Sequence, residues 1–424
     1  MIMSIGTTIT EYFIEEQRRI KGVSGDFTAL INDIVIACKA ISSAVRYGSL
    51  IGVLGAADTE NIQGETQKKL DVISNNLFIK RNEWAGHVAA MASEEMADVY
   101  HLPVQYPRGK YLLVFDPLDG STNTDVNGAV GTIFSILRRP EGAVGEPTED
   151  DFLQPGTRQV CAGYALYGPS SMMVLTTGHG VNGFTLDQRI GEFILTNPDM
   201  QIPADTQEFS INMAYMRFWD PPVRRYIDEC LAGKEGPRRK DFNMRWAGAM
   251  IADVHRVLTR GGVFLYPIDR KIRSKNQEGK LRLLYEANPM SFIVEQASGL
   301  ATTGAERIME LPPANLHQRC PVIMGSKMKL NGLFPIILMP SESIAASAER
   351  SRMRVAQGDR IKQWTERTPS GVRSSIDERT VLSTLRTHNP LRVTRHLSLG
   401  TCKKNGYGIK IRPTGINRRQ ASAH

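Results

Sequence analysis

The sequence predicts an α/β or α+β protein in which helices and strands alternate along the chain. Three observations support this class. Helical and strand-like apolar patterns follow one another over most of the chain. Hydrophobic residues make up 41% of the 424 residues, which is enough for a sizeable core. A chain of this length holds one large domain or two to three ordinary ones.

Local patterns predict the individual elements. Residues 28–46 predict a helix because apolar side chains recur at helical spacing: Leu30, Ile34, Ile41 and Val45. A second helix is predicted over residues 69–80, and residues 111–114 predict a strand. Residues 281–286 predict a later strand ending in Glu286, with a helix opening at Asn288-Pro289-Met290.

The cysteines and the apolar runs bear on the compartment. Five cysteines are scattered along the chain without a Cys-x-x-Cys pair: Cys38, Cys161, Cys230, Cys320 and Cys402. They predict reduced thiols in a cytoplasmic protein rather than a disulfide framework or zinc site. No apolar run approaches the ~20 residues of a membrane span, and the first residues lack the pattern of a secretory signal. We therefore expect no membrane partner.

Charge divides the chain into two parts. Residues 341–424 carry 17 Lys and Arg against 6 Asp and Glu, whereas the rest of the chain has a net charge of −3. This tail is rich in Ser, Thr and Arg and lacks sustained periodicity, so we expect it to be largely disordered. Its positive charge also predicts non-specific contact with polyanions such as nucleic acid.

The most specific motif is the run Val114-Phe115-Asp116-Pro117-Leu118-Asp119-Gly120-Ser121-Thr122-Asn123. Asp116 and Asp119 offer hard oxygen ligands for a divalent cation. Gly120, Ser121 and Thr122 can open a helix whose first N–H groups attract a phosphate. The combination predicts a metal-assisted phosphatase. The alternative is a turn whose aspartates merely cap it.

Other carboxylates strengthen this hypothesis. Glu94 and Glu95 follow a short stretch that we predict to be helical, and neighbouring residues of a strand or helix point to opposite sides. One glutamate could therefore bind metal while the other handles a proton. Taken alone, each is more typical of a solvated surface, and a single strand-end residue such as Glu286 is weak evidence.

Together these segments resemble the class I fructose-1,6-bisphosphatase family of the lithium-sensitive, metal-dependent sugar phosphatases. The resemblance runs from about residue 10 to about residue 326. It rests on the motif above and on further segments: Gly64-Glu65, Lys69-Leu70-Asp71, Ser93-Glu94-Glu95, Gly131-Thr132-Ile133-Phe134, Gly163-Tyr164-Ala165-Leu166-Tyr167-Gly168, Phe209-Ser210-Ile211-Asn212, Ala252-Asp253-Val254-His255-Arg256, Ala301-Thr302-Thr303-Gly304 and the stretches 261–267 and 279–290.

The resemblance implies a five-layered αβαβα architecture of two sheets flanked by helices. It implies an N-terminal regulatory domain over residues 1–200, a sugar-phosphate domain over residues 201–335 and a tail over residues 336–424. It also implies a homotetramer with a role in gluconeogenesis or the Calvin cycle. Beyond Gly325-Ser326 the expected terminal helix is replaced, which is explained either by a frame change in the gene or by a functional basic extension.

For the site, the resemblance implies two or three Mg²⁺ ions per subunit, with Mn²⁺ as an alternative. The implied metal ligands are Glu94, Asp116, the Leu118 carbonyl, Asp119 and Glu286. The implied holders of the 1-phosphate are Gly120, Ser121 and Thr122. The implied catalytic carboxylates, which would orient and deprotonate a water, are Asp71, Glu95 and Glu65. Asp71 could instead cap its helix or pair with Lys68 or Lys69.

The remaining implied residues bind a second phosphate and an inhibitor. Those around the 6-phosphate are Asn212, Tyr215, Arg245, Trp246, Tyr266 and Lys280, and Arg245 would reach across a subunit interface. Trp246 departs from the tyrosine of many relatives. Those of an AMP site at a helix-opening turn are Ser24, Gly25, Asp26, Phe27, Thr28, Lys110, Tyr111 and Arg138. The alternative for that turn is an ordinary helix cap.

Two other functions remain open from the sequence. One is a related phosphatase acting on sedoheptulose bisphosphate or inositol phosphate. The other is a weakly catalytic protein that binds sugar phosphates, or nucleic acid through its tail. The many convergent carboxylates disfavour a pure binding protein, because they repel one another without metal.

Overall fold

The computed structural model describes residues 6–19, 25–60 and 66–327. These residues belong to one compact unit, residues 1–344, and the second unit, residues 345–424, lies outside them. The expectations for the basic tail therefore fall outside the described residues. The boundary expected near residue 200 stays a prediction.

The helices of the described part are α1 (Ile9–Arg19), α2 (Gly25–Tyr47), α3 (Lys69–Asn82), α4 (Glu149–Phe152), α5 (Pro221–Leu231), α6 (Met250–Arg260), α7 (Arg270–Arg273) and α8 (Asn288–Gln296). The strands there are β1 (Ala56–Glu60), β2 (Thr66–Lys68), β3 (Val88–Ser93), β4 (Tyr100–His101), β5 (Tyr111–Asp119), β6 (Val130–Arg138), β7 (Gln159–Tyr167), β8 (Ser171–Thr176), β9 (Asn182–Asp187), β10 (Glu192–Asn197), β11 (Glu208–Ser210), β12 (Asn243–Met244), β13 (Val263–Tyr266), β14 (Leu281–Arg282), β15 (Leu300–Thr302), β16 (Arg319–Cys320) and β17 (Val322–Gly325).

Two large sheets organise these strands. The first has eight strands in the order β10-β9-β8-β7-β6-β5-β3-β4, and all its pairs are antiparallel except β3–β5. The second has five strands in the order β12-β11-β13-β17-β15, with β11 parallel to both neighbours. Two-stranded pairs β1–β2 and β14–β16 complete the described sheets.

Three apolar clusters stack the layers. In the first, Phe27 and Ile34 of α2, with side chains of α1 and α3, cover one face of the eight-stranded sheet. In the second, α6 and α8 fill the space between the two sheets, with Val254 and Ile293 fully buried. In the third, α5 covers the outer face of the five-stranded sheet through Tyr226. The five-layered αβαβα order predicted from the sequence is therefore confirmed.

The helix predictions hold with small extensions. The helix predicted over residues 28–46 is α2 (Gly25–Tyr47), and that over residues 69–80 is α3 (Lys69–Asn82). The strand predicted over residues 111–114 continues as β5 to Asp119. The turn after it opens a 3-10 helix, Ser121–Val126, rather than an α-helix.

The strand predicted over residues 281–286 is wrong beyond its first two residues. Only Leu281–Arg282 pairs as β14, and Leu283–Ala287 forms a single π-helical turn that leads into α8. Every residue of that turn is buried. A short apolar run that is buried on all sides shows neither the helical nor the strand periodicity of apolar residues. The sequence pattern therefore could not distinguish a strand from a helix here.

One long helix bears on the membrane expectation. The helical stretch Gly25–Ile51 is long and apolar enough to cross a membrane by length and composition alone. More than half of its most apolar window is buried inside the protein, as in a core helix. Its buried apolar residues pack with α1, α3 and the eight-stranded sheet, whereas Ile36, Leu50 and Ile51 are exposed.

Candidate active site

A β-bulge brings Asp116 and Asp119 to the same place. Residues three apart on a regular strand point to opposite faces of the sheet. On β5, however, Asp116 pairs with Ile133 and Asp119 pairs with Gly131, so three steps along β5 match only two along β6. The extra residue re-aims the strand. As a result, oxygens of Asp116, Asp119 and Glu286 all lie within 4.8 Å of one another.

Backbone amides fix the two aspartates. The Leu118 N–H donates to Oδ1 of Asp116 at 2.9 Å, and the Ile251 N–H donates to Oδ2 of Asp119 at 2.7 Å. Ile251 lies in the first turn of α6, where unpaired amides favour a negative charge. The turn is therefore anchored to a helix that packs between the two sheets.

Gly120 ends the turn in a conformation that requires glycine. Its φ is +77°, and a Cβ there would collide with Ala249 just before α6. The chain then enters the 3-10 helix that starts at Ser121. At Gly120, the backbone of the turn predicted to bind the 1-phosphate thus lies too close to Ala249 to leave room for a side chain.

The π-helical turn places Glu286. Its Oε2 accepts the Arg282 N–H at 2.6 Å, which closes the turn around the carboxylate. The Arg282 guanidinium forms an ion pair with Glu94, and its other nitrogen lies 3.7 Å from Glu286. The sequence interpretation assigned no role to Arg282. The sequence feature that could have indicated its role is an arginine within an apolar run, because an arginine is seldom buried without a partner of opposite charge.

Burial dominates the electrostatics of the cluster. It raises the pKa of Glu94 to about 8 and that of Asp119 to about 7. The pKa of Asp116 is also raised, first by burial and then by the charges of Glu94 and Asp119. Without a cation, these carboxylates therefore keep protons near neutral pH. Carboxylate and carbonyl oxygens suit a hard divalent cation, so the residues fit the metal site expected from the sequence.

The side chains of Glu94 and Glu95 do not point to opposite sides, although the sequence predicted that they would. The helical stretch predicted before them is wrong, because Val88–Ser93 forms the buried strand β3. Both glutamates lie in the turn after β3, where strand alternation no longer applies. Both face the same cavity, and their side chains hydrogen-bond to each other. Gln67 Nε2 also donates to Glu95 at 2.6 Å, and burial raises the pKa of Glu95.

Asp71 caps its helix, as the alternative predicted, and its catalytic role stays a prediction. Its Oδ2 accepts the Lys68 N–H at 2.7 Å and so caps the first turn of α3. It also lines the cavity, and burial raises its pKa to about 6 against the opposing hydrogen bonds of Lys68 and Ser121. Glu65 lies outside the described residues.

One cavity of about 520 Å³ collects most of the predicted site. Fourteen predicted residues line it: Asp71, Glu94, Glu95, Asp116, Leu118, Asp119, Gly120, Ser121, Thr122, Asn212, Trp246, Tyr266, Lys280 and Glu286. Lining residues without a predicted role include Gln67, Lys68, Met250, Phe264 and Arg282. The cavity wall thus combines the carboxylate cluster with basic and aromatic side chains.

Two predicted residues lie beside this cavity rather than in it. Tyr215 lines a small crevice that shares Asn212 and Tyr266 with the cavity wall. Arg245 is exposed just after the edge strand β12, where its N–H donates to Phe209 O. Its expected contribution across a subunit interface stays a prediction.

The residues expected to bind AMP meet away from the cavity, at the start of α2. Lys110 Nζ lies 2.9 Å from Asp26 Oδ2, and Thr28 Oγ1 donates to Gln17. The Lys110 ammonium and the Arg138 guanidinium lie 5.5 and 5.7 Å from the centre of the Tyr111 ring. Phe27 packs on the same ring, Gly25 begins the helix, and Ser24 lies outside the described residues.

Comparison with known proteins supports the geometry. Residues 7–198 match the family model of the fructose-1,6-bisphosphatase N-terminal domain, and residues 202–337 match that of the C-terminal domain. The chain is 60% identical over 326 residues to the class 1 fructose-1,6-bisphosphatase of Halorhodospira halophila, covering 77% of this chain and 96% of that protein.

Solved structures agree. The holo form of Leishmania major fructose-1,6-bisphosphatase is 40% identical with a TM-score of 0.73, and the apo form is 39% identical with a TM-score of 0.68. Each match covers 78% of this chain and 99% of the solved chain. The αβαβα layers and the carboxylate-lined cavity thus occur in a chain that belongs to the fructose-1,6-bisphosphatase family.

Proposed function

We propose that this chain is a phosphatase that hydrolyses the 1-phosphate of D-fructose 1,6-bisphosphate to give fructose 6-phosphate and phosphate. The observation that carries the proposal is a single cavity whose wall holds the clustered carboxylates together with Lys280, Tyr266 and Asn212. Such a cavity offers one site for chemistry and one for a second phosphate. The 60% identical relative carries the name of this activity.

The cations we propose are two or three Mg²⁺ ions, or Mn²⁺ in their place. Glu94, Asp116, Asp119, Glu286 and the Leu118 carbonyl would hold them. The chemistry supplied there is polarisation of the phosphate, stabilisation of the leaving alkoxide and a lowered pKa of water. The Arg282 guanidinium lies against the carboxyl group of Glu94, so a metal ion bound there would compete with Arg282 for that group.

The chain's own residues supply the rest of the mechanism. The 3-10 helix beginning at Ser121 directs amides of its first turn towards the 1-phosphate position, where Thr122 adds a hydroxyl. Asp71 and Glu95 orient the attacking water, and one of the two accepts its proton. A pKa of about 6 suits Asp71 to this task, because it is ionised at neutral pH yet still basic.

The same scaffold supports two alternative substrates, sedoheptulose bisphosphate and inositol phosphate. A substrate panel distinguishes them, since a site with Lys280 and Tyr266 should favour a sugar with two phosphates. The binding-protein alternative is disfavoured by the oxygens of three carboxylates within 4.8 Å of one another. Magnesium-dependent phosphate release from fructose 1,6-bisphosphate is the decisive assay.

Three further properties belong to the proposal. We place the protein in the cytoplasm, which is supported by four buried cysteines that form no disulfide within the part of the chain that the structure describes: Cys38, Cys161, Cys230 and Cys320. We propose a homotetramer in which the exposed Arg245 completes a neighbour's 6-phosphate site. We propose AMP as an inhibitor bound at the start of α2, which is supported by the cations gathered around Tyr111.

Replacing Asp119 tests the metal cluster. Asp119→Asn keeps an oxygen that can accept the Ile251 N–H but removes the charge, so kcat should fall by at least ~10³, about 4 kcal/mol of barrier. Asp228→Asn, on the exposed side of α5, is the control and should keep its kcat. Phosphate release is the measurement. Near-normal activity of Asp119→Asn, or full activity in a chelator, would refute the assignment.

The raised pKa values predict that metal activation strengthens with pH. Protons on Glu94, with a pKa of about 8, and on Asp119, with a pKa of about 7, must leave before a cation binds. The Mg²⁺ concentration for half-maximal activity should therefore fall as pH rises from about 6 to about 9. Calorimetry in buffers of different ionisation enthalpy should show proton release. The prediction is contradicted if the Mg²⁺ concentration for half-maximal activity stays the same over this pH range.

Replacing Lys280 tests the 6-phosphate end. Lys280→Ala should raise KM for fructose 1,6-bisphosphate by about 10- to 100-fold with a smaller change in kcat, because a charged hydrogen bond remote from the chemistry is lost. Lys275→Ala, exposed in the preceding loop, is the matched control. A substrate with the 1-phosphate alone should not distinguish variant from wild type. An unchanged KM would mean that the pocket is misplaced.

Replacing Lys110 tests the AMP site. Lys110→Ala should abolish inhibition by AMP and preserve the uninhibited kcat, because it removes a cation beside Asp26 without touching the cavity. Lys39→Ala breaks a similar ion pair of α2, with Glu192, and should keep its AMP response. Inhibition curves are the measurement. Equal AMP sensitivity of wild type and Lys110→Ala would show that the turn only caps α2.

A further inference from the structure

The bulge that assembles the metal-binding turn frees a backbone carbonyl, and a side chain binds it. The Thr132 hydroxyl donates to Pro117 O at 2.9 Å. Pro117 lies between Asp116 and Asp119, inside the bulge, and Thr132 lies on β6 between their pairing partners Ile133 and Gly131. The hydroxyl therefore replaces the strand-to-strand hydrogen bond that the bulge disrupts.

This hydrogen bond is the last of a directed chain. Thr132 Oγ1 lies 2.8 Å from the Tyr167 hydroxyl, and Tyr167 packs in the same apolar cluster as Cys38 of α2. A carbonyl only accepts, so the one hydroxyl proton of Thr132 goes to Pro117 O. Tyr167 must then donate to Thr132. The chain runs from Tyr167 through Thr132 to the Pro117 carbonyl.

The chain crosses an apolar layer. Cys38 on α2 and Thr132 on β6 are 0% exposed, and Tyr167 at the end of β7 is 4% exposed. Phe115, Leu118 and Phe134 belong to the same cluster on the helix-covered face of the sheet. A polar group left unpaired at such depth is costly, so each link of the chain constrains the next.

We infer that Thr132 and Tyr167 are positioning residues that hold the Pro117 carbonyl, and with it the Asp116–Asp119 bulge, in the geometry that binds the cations. The inference deepens the proposed function and rests on its metal site. Repulsion among the clustered carboxylates opposes that geometry before a cation arrives. If the Thr132 hydroxyl holds the Asp116–Asp119 bulge in place, the bulge needs less rearrangement when a cation binds than it would without this hydrogen bond.

The test uses the full chain and matched pairs of variants. Thr132→Val removes the hydroxyl at nearly constant volume, and Thr132→Ser restores it. Ser135→Ala removes another buried hydroxyl of β6, one that donates to Gln159 at 2.7 Å and does not touch the turn. Calorimetric titration with Mg²⁺ alone gives the dissociation constant, and phosphate release gives the activation constant, kcat and KM.

We expect Thr132→Val to weaken Mg²⁺ binding and to raise the activation constant by about tenfold, which corresponds to about 1.4 kcal/mol. The kcat should return towards the wild-type value at saturating Mg²⁺. Thr132→Ser should restore the Mg²⁺ affinity, and Ser135→Ala should not change it. Tyr167→Phe, which leaves the Thr132–Pro117 bond intact, should produce a smaller rise of about threefold.

Other results overturn the inference. The inference is wrong if Thr132→Val binds Mg²⁺ as tightly as the wild type. It is also wrong if Thr132→Val and Ser135→Ala lose Mg²⁺ affinity equally, because an equal loss would indicate general weakening of the sheet. If Thr132→Val fails to fold, Tyr167→Phe decides, and an unchanged Mg²⁺ affinity there refutes the role. Wild-type protein that binds Mg²⁺ without hydrolysing the bisphosphate refutes the proposed function alone, because the calorimetric comparison stands without turnover.

Discussion

The structure around the cavity depends on one constraint, the burial of several carboxylates in one place. Charges 4.8 Å apart, the upper limit for Asp116, Asp119 and Glu286, repel by about 3.5 kcal/mol per ionised pair at an effective dielectric constant of ~20. Each buried charge also loses its hydration. The protein offsets this with backbone N–H donors, with the Arg282 guanidinium and with protons retained on raised-pKa groups. A cation that binds there exchanges with those protons and displaces part of the ion pair.

Local departures from regular structure meet this constraint. On a regular β5, Asp116 and Asp119 would point to opposite faces of the sheet. The bulge between them brings both side chains to the same place. A regular α8 would not begin with the π-helical turn in which Arg282 N–H holds Glu286. Glycine at 120 lets the turn approach α6 closely enough for the Ile251 amide to bind Asp119. The irregularities therefore lie where the chemistry requires them.

Apolar periodicity predicted the helices α2 and α3, and one compact motif predicted the two aspartates of the site. The layers and most of the cavity wall were predicted from the family resemblance that the sequence segments carry. The sequence predictions failed where tertiary contacts decide. The run ending in Glu286 has no period, so its π-helical turn could not be distinguished from a strand. The shared direction of Glu94 and Glu95 depends on β3 ending at Ser93. Arg282 and Thr132 had no predicted role, because their partners lie far away in sequence or across the sheet.

The metal-binding turn is held from both faces of the eight-stranded sheet. On one face, the Thr132 hydroxyl binds the Pro117 carbonyl and hydrogen-bonds Tyr167, which packs in the same apolar cluster as Cys38 of α2. On the other face, the carboxylate of Asp119 binds the first turn of α6, a helix that packs against the second sheet. The carboxylate geometry thus depends on both helical layers at once. Helix α2 also carries Asp26 of the Asp26–Lys110 pair proposed to bind AMP, so the proposed inhibitor site and the support of the bulge share one helix. A shift of α2 towards or away from Tyr167 would change the support of the Pro117 carbonyl before it disturbed any residue that touches the substrate.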